Sequence, residues 1–194
     1  VLAGHSFGGL YVLGYAAQYP EDVAGMVLVD STAPTASDAG AAAPDATTAG
    51  LVSKITATLS IGARVGLGRL YGLAAFDSLP PRSRDEVRAS LATATSVRSS
   101  IDEFVQASAA MVAAGSLKTL GDKPLVVLTA GVGSDPAHVA SQRRLATLST
   151  NSEHRTVDGA VHEALVADQG PAAVTTQSIL DVVSAVRSGQ PLVA

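Results

Sequence analysis

Near its start the chain reads Leu2-Ala3-Gly4-His5-Ser6-Phe7-Gly8-Gly9. A short apolar run ends at Gly4, and helix-forming residues begin at Phe7, so Ser6 falls in the turn between a strand and a helix. The pattern is G-x-S-x-G. A turn this tight pushes the serine out at the carboxyl end of the strand, where its hydroxyl can act as a nucleophile. Glycine is expected on both sides because a Cβ there would strike neighbouring backbone. The amide of Phe7, at the positive end of the following helix, is placed to donate to an oxyanion.

Working outward, residues 7–19 are apolar nearly all round, which predicts a buried helix, and Pro20 stops it. Residues 23–29 form an apolar run with β-branched members, closed by Asp30. This is the pattern of a strand covered on both faces in a parallel sheet. Residues 33–50 contain only Ala, Pro, Thr, Ser, Asp and Gly and read as a mobile low-complexity loop. Weakly helical apolar material follows over 51–76. Ser83 with Glu86, and Ser100 with Glu103, match the capping box and predict two helix starts. Strand and helix then alternate again: a strand over 125–128, a helix over 136–148, a strand over 154–157 and a closing helix over 172–186. Such alternation implies an α/β fold, a mostly parallel sheet with helices on both faces.

The composition narrows the function. Of 194 residues, 47% are apolar and 15% charged, which fits a packed domain. Net charge is −4 without a basic cluster, arguing against a nucleic-acid partner. No apolar run is long enough for a membrane span. Cysteine is absent, removing thiolate catalysis, disulfides and cysteine-based metal sites. No metal-ligand cluster and no phosphate-binding glycine loop is visible, so neither metal nor cofactor is expected.

A serine needs a base. Of the four histidines, His5 adjoins Ser6 and is expected to point away and pack beside the site. His138 lies in a helix of mixed polarity, and His154 between Glu153 and Arg155; both read as surface residues. His162 follows a strand, within Gly159-Ala160-Val161, and precedes the last helix, which suits a base. The orienting acid has three candidates. Asp30 ends the 23–29 strand, where residues face the site. Asp135 follows the 125–128 strand, yet Asp before Pro136 is also the sequence of a helix N-cap with a first-turn proline. Asp158 is close to His162 in sequence and less suited to reach its far nitrogen. Asp30 is preferred, and Asp135 stays open.

These phrases, together with Val27-Leu28-Val29-Asp30-Ser31, Pro124-Leu125-Val126-Val127-Leu128 and Gly159-Ala160-Val161-His162, resemble the α/β-hydrolase superfamily, and in particular its lid-bearing serine esterases. The resemblance implies a core in two pieces, residues 1–32 and 119–194, with a tether and helical lid over 33–118. It implies acyl transfer to water through Ser6, His162 and Asp30, with Phe7 in the oxyanion hole, while the aliphatic composition suggests a small or medium apolar acyl substrate. Serine at the elbow sets the chain apart from the dehalogenase and epoxide-hydrolase branches, which carry aspartate there. A non-catalytic ligand-binding relative and an inactive fragment are the alternatives. Oligomeric state is open, and so is compartment, although the reading leans to the cytoplasm.

By the same correspondence Val1 begins within the central strand, the chain is the C-terminal half of the fold, and the second oxyanion donor lies upstream. The 194-residue chain expressed alone is therefore expected to be inactive and poorly soluble, because an open strand edge and an apolar helix would face water. Size-exclusion chromatography with an esterase assay checks this; a soluble monomer with serine-dependent turnover contradicts it.

Overall fold

The structure, a computed structural model, describes residues 1–34, 77–91 and 93–192. The chain divides into two compact units, one of Val1–Gly40 with Ala110–Ala194 and one of Ala41–Ala109. The low-complexity stretch from residue 35 onward and the apolar residues 51–76 lie outside the described residues.

The first unit holds a four-stranded sheet in the order β1 (Leu2–His5), β2 (Met26–Val29), β3 (Leu125–Ala130), β4 (Ser152–Val157), with every pair parallel. Helix α1 (Gly8–Gln18) follows β1, and a 3-10 turn (Pro20–Asp22) leads into β2, which is shorter than the 23–29 run because Val23 to Gly25 are spent on that entry. The second unit contains α2 (Pro81–Leu91) and α3 (Ala94–Val105), and α4 (Ala107–Gly115) begins at its end. The first unit continues with α5 (Pro136–Ala146) after β3, then α6 (Ala164–Ala167) and α7 (Gln169–Ser188) after β4.

Side chains of β2 and β3 alternate between two cores, as the two-residue period of a strand requires. Met26, Leu28, Leu125 and Val127 pack with Leu10, Leu13 and Ala16 of α1 and Leu145 of α5 on one face. Val27, Val29, Val126 and Leu128 pack with Ala164, Leu165 and Val182 of α6 and α7 on the other. Both strands are fully covered, so each reads as an unbroken apolar run. The last helix ends at Gly189, which adopts the left-handed conformation that favours glycine after a helix.

Three expectations need correction. Helix α1 is not buried all round: Tyr11, Tyr15 and Tyr19 are spaced by four residues and each keeps more than 40% of its surface exposed. Their rings follow Phe7 in a ladder, with Phe7 edge-on to Tyr11 at 5.4 Å and Tyr15 beside Tyr19 at 5.0 Å. A phenol has a polar end that can stay in water, so an aromatic stripe does not imply burial. The capping boxes also fail. Helix α2 starts at Pro81, leaving Ser83 inside it while Glu86 pairs with Arg82 at 3.0 Å. Helix α3 starts at Ala94, and its cap is Thr93, whose Oγ1 accepts from the Ser96 amide at 3.1 Å, so Ser100 lies mid-helix.

The third correction concerns the elbow glycines. A Cβ on Gly4 would lie 2.7 Å from the Gly8 carbonyl oxygen, and one on Gly9 2.3 Å from Ser31 Cβ, but one on Gly8 meets nothing within 4 Å. Tightness is confined to Gly4 and Gly9. Gly4→Ala should therefore destabilise by about 1–3 kcal/mol through overpacking against immobile backbone. Gly8→Ala should be neutral or stabilising by up to about 1 kcal/mol, as alanine is the better helix former. Urea unfolding of the two variants beside the parent tests this; equal losses would show that both positions are crowded.

Candidate active site

The site is built where β1 and β2 end. Their register sets His5 opposite Val29, so Ser6 and Asp30 each leave the sheet one residue later, side by side. Both adopt left-handed backbone, at φ 54° and 43°, and they are the non-glycine residues with positive φ among those described. Such conformations cost energy and persist where neighbours hold them. Here the neighbours are backbone groups. The Ser6 amide donates to the Val29 carbonyl at 3.0 Å, and the Ser6 carbonyl accepts from the Thr32 amide at 2.9 Å. The Asp30 amide donates to the Leu128 carbonyl at 2.7 Å.

Ser31 lies between these ties and is fully buried. Its hydroxyl donates to the Gly4 carbonyl at 2.7 Å, and its own carbonyl accepts from the buried Gln142 side chain of α5 at 2.7 Å. The Phe7 residue is the N-cap of α1, and its amide has no hydrogen-bond partner among the described residues.

The Asp30 carboxylate is 4% exposed and receives three donors. His162 Nδ1 donates to Oδ2 at 2.6 Å. His138 Nε2 donates to Oδ1 at 2.8 Å, and the Ala130 amide donates to the same oxygen at 3.1 Å. Burial alone would raise the Asp30 pKa; the hydrogen bonds from His162, His138 and the Ala130 amide outweigh it and bring the group below its ordinary value. The carboxylate is thus anionic, and both imidazole contacts are charge-assisted.

His162 sits in the loop after β4, which is pinned to the end of β3 by the Gly131 amide on the Val157 carbonyl and the Val132 amide on the Ala160 carbonyl, both 3.0 Å. Its ring stacks on His5 at 4.4 Å, and His5 Nε2 donates to the His162 carbonyl at 3.2 Å. Burial and the neighbouring His162 lower the His5 pKa, which keeps this ring neutral as a packing surface. With Nδ1 committed to Asp30, His162 keeps Nε2 for proton exchange. A cleft of about 430 Å³ runs past Asp30, His138 and His162 and is bordered by Val132 and Val161.

Asp135 does other work. It is the N-cap of α5, accepting from the His138 amide at 2.7 Å, with Pro136 in the first turn. Asp158 is exposed in the turn after β4. Two histidines differ from the surface placement their sequence context predicts. His138 is not a solvated helix residue but the second imidazole on Asp30. The available signal was its place in the first turn of the helix leaving β3, since such turns face the ends of the strands. His154 is half-buried, shares a hydrogen bond with Thr129 Oγ1 at 2.7 Å, and has its pKa lowered by burial and by Arg143.

The sequence profile described as alpha/beta hydrolase fold matches residues 1–165. No curated protein matches the sequence. Among solved structures, the chain is similar to a haloalkane dehalogenase loop variant from Bradyrhizobium elkanii (15% identity, TM-score 0.60, covering 96% of this chain and 67% of that one). It is also similar to an Acinetobacter baumannii protein assigned as a lipase (20% identity, TM-score 0.57, 98% and 62%). A third likeness is to a mutant of a Pseudomonas aeruginosa protein assigned as an epoxide hydrolase (16%, 0.57, 96% and 66%). The chain therefore spans about two thirds of the length of these structures, and at such identities the likeness speaks for the fold. The chain belongs to the α/β-hydrolase family.

The state of Asp30 makes acid stability a direct test. Its native pKa is lowered from the ordinary value of about 4, so its stabilising contribution is complete above that value and is lost as pH falls through the native one. Asp30→Asn, which also tolerates left-handed backbone, should be less stable than the parent at pH 7, with the gap closing below about pH 4. Urea unfolding at several pH values checks this; a gap independent of pH would mean that the carboxylate charge contributes nothing.

Proposed function

We propose that this α/β hydrolase cleaves an ester-like acyl compound with Ser6 as nucleophile, His162 as general base and Asp30 as the acid that orients it. The observation that carries the reading is the 2.6 Å hydrogen bond between His162 Nδ1 and the buried Asp30 carboxylate, at the sheet edge where Ser6 is held at φ 54°. In this reading Nδ1–H stays on Asp30, and Nε2 takes the Ser6 proton as the hydroxyl oxygen attacks the carbonyl carbon. The imidazolium that forms is stabilised by Asp30. The tetrahedral oxyanion is met by the Phe7 amide, which is free for it and sits at the positive end of α1. His162 then returns the proton to the leaving oxygen, and water repeats the sequence on the acyl-enzyme.

Serine at position 6 supports the ester reading over the chemistries of the dehalogenase and epoxide-hydrolase branches. The substrate class is a small to medium apolar acyl compound. This rests on the aliphatic character of the chain, which has no Trp and only three Phe.

In the natural protein, Ser6→Ala should lower turnover of a short-chain aryl ester by about 10⁴-fold or more with the fold intact. Asp30→Asn should cost a similar factor, because asparagine cannot stabilise an imidazolium. Asp135→Asn should stay within about threefold of the parent, since asparagine still caps a helix. Steady-state kinetics on the three variants decides the matter. Survival of activity in Ser6→Ala would remove the nucleophile assignment, and a large loss at Asp135 with none at Asp30 would move the acid.

A further inference from the structure

Asp30 serves two imidazoles, and the proposed mechanism uses only one. Its two oxygens are treated differently. Oδ1 is held from two directions, by the Ala130 amide at 3.1 Å and by His138 Nε2 at 2.8 Å. Among the described residues, Oδ2 is left to His162 at 2.6 Å. A carboxylate held by one oxygen can still swing about its Cβ–Cγ bond. Two converging donors on Oδ1 fix the plane of the group, and with it the direction in which Oδ2 faces.

His138 is itself well placed to do this. It stands at the third position of α5, three residues past the cap, and its amide is gripped by Asp135 Oδ1 at 2.7 Å. The helix start is further tied to the end of β3 by the Ser134 hydroxyl on the Ala130 carbonyl at 2.9 Å. A run of hydrogen bonds thus connects Asp135 to His138, His138 to Asp30 and Asp30 to His162. Since the Asp30 carboxylate is ionised, Nε2 of His138 must carry a proton and donate it, whatever the charge on the ring.

We propose that His138 is a positioning residue: it clamps Asp30 Oδ1 so that Oδ2 stays aligned with His162 Nδ1, and the Asp135 cap sets its reach. The inference rests on the proposed triad for its kinetic consequence, but the clamp itself is a property of the hydrogen bonds and can be read without activity.

The test uses His138→Leu and His138→Gln in the natural protein, because the glutamine amide can place a donor close to where Nε2 lies. The direct readout is the low-field proton of His162 Nδ1 in NMR spectra. It should broaden or shift in His138→Leu and persist in His138→Gln. The kinetic readout is kcat on a short-chain aryl ester, expected to fall about 10- to 100-fold in His138→Leu with KM nearly unchanged, and to recover to within about threefold in His138→Gln. An unchanged His162 resonance in His138→Leu overturns the clamp whether or not the protein hydrolyses esters. Equal loss of that resonance in both variants overturns it too, because the donor would then not be what matters. A shifted resonance in a protein whose Ser6→Ala variant loses nothing keeps the clamp and removes the triad.

Discussion

Three consecutive residues after β2 hold the elbow in place. Asp30 carries His162 on its carboxylate, Ser31 hydrogen-bonds the Gly4 carbonyl, and the Thr32 amide bonds the Ser6 carbonyl. The strand that precedes them is paired in parallel with β1, so the two chain segments leave the sheet in step. Left-handed backbone at both Ser6 and Asp30 is tolerable only because these ties are short, buried and mutual. Position 31 is therefore as tightly specified as the serine at position 6. Its Cβ fills the space a side chain at Gly9 would need.

The division of labour between the two acids follows from the same geometry. An aspartate after β3 and an aspartate after β2 are separated by one strand spacing, and either could face the end of β4. The Asp135-Pro136 pair commits the first to starting a helix, while Asp30 is followed by the non-helical residues 31–34 and turns its carboxylate inward. What the first gives the site is the orientation of α5, which carries His138 to one side of Asp30 and the buried Gln142 to the Ser31 carbonyl.

Much of this was legible in the residues. Fully covered strands write continuous apolar runs, so β2 and β3 were plain. The glycine-serine turn between a strand and a helix announced the elbow, and Asp-Pro announced the start of α5. Less was legible where a residue type has two uses. Tyrosine counts as apolar in a periodicity yet keeps its hydroxyl in water, so α1 looked buried on every side. Serine followed three places later by glutamate marks a helix start only if the backbone has not already begun one, and Pro81 and Thr93 had done so. His138 was hidden for another reason. Its partner is 108 positions away, and the one local hint of the contact is its place in the first turn of the helix that follows β3.

Strand β4 differs from its three neighbours in being mostly polar: Ser152, Glu153, His154, Arg155, Thr156, Val157. It lies at one margin of the sheet, and its far side pairs with no other strand among the described residues. Arg155 is held there by Glu153 at 2.5 Å and by Asp181 of α7 at 2.7 Å, which raises its pKa and fixes its charge. A bare strand margin is a template for adding another chain, and a charge buttressed by two carboxylates is costly to cover. A strand added beside β4 would have to lie against this charge network, which disfavours such an addition.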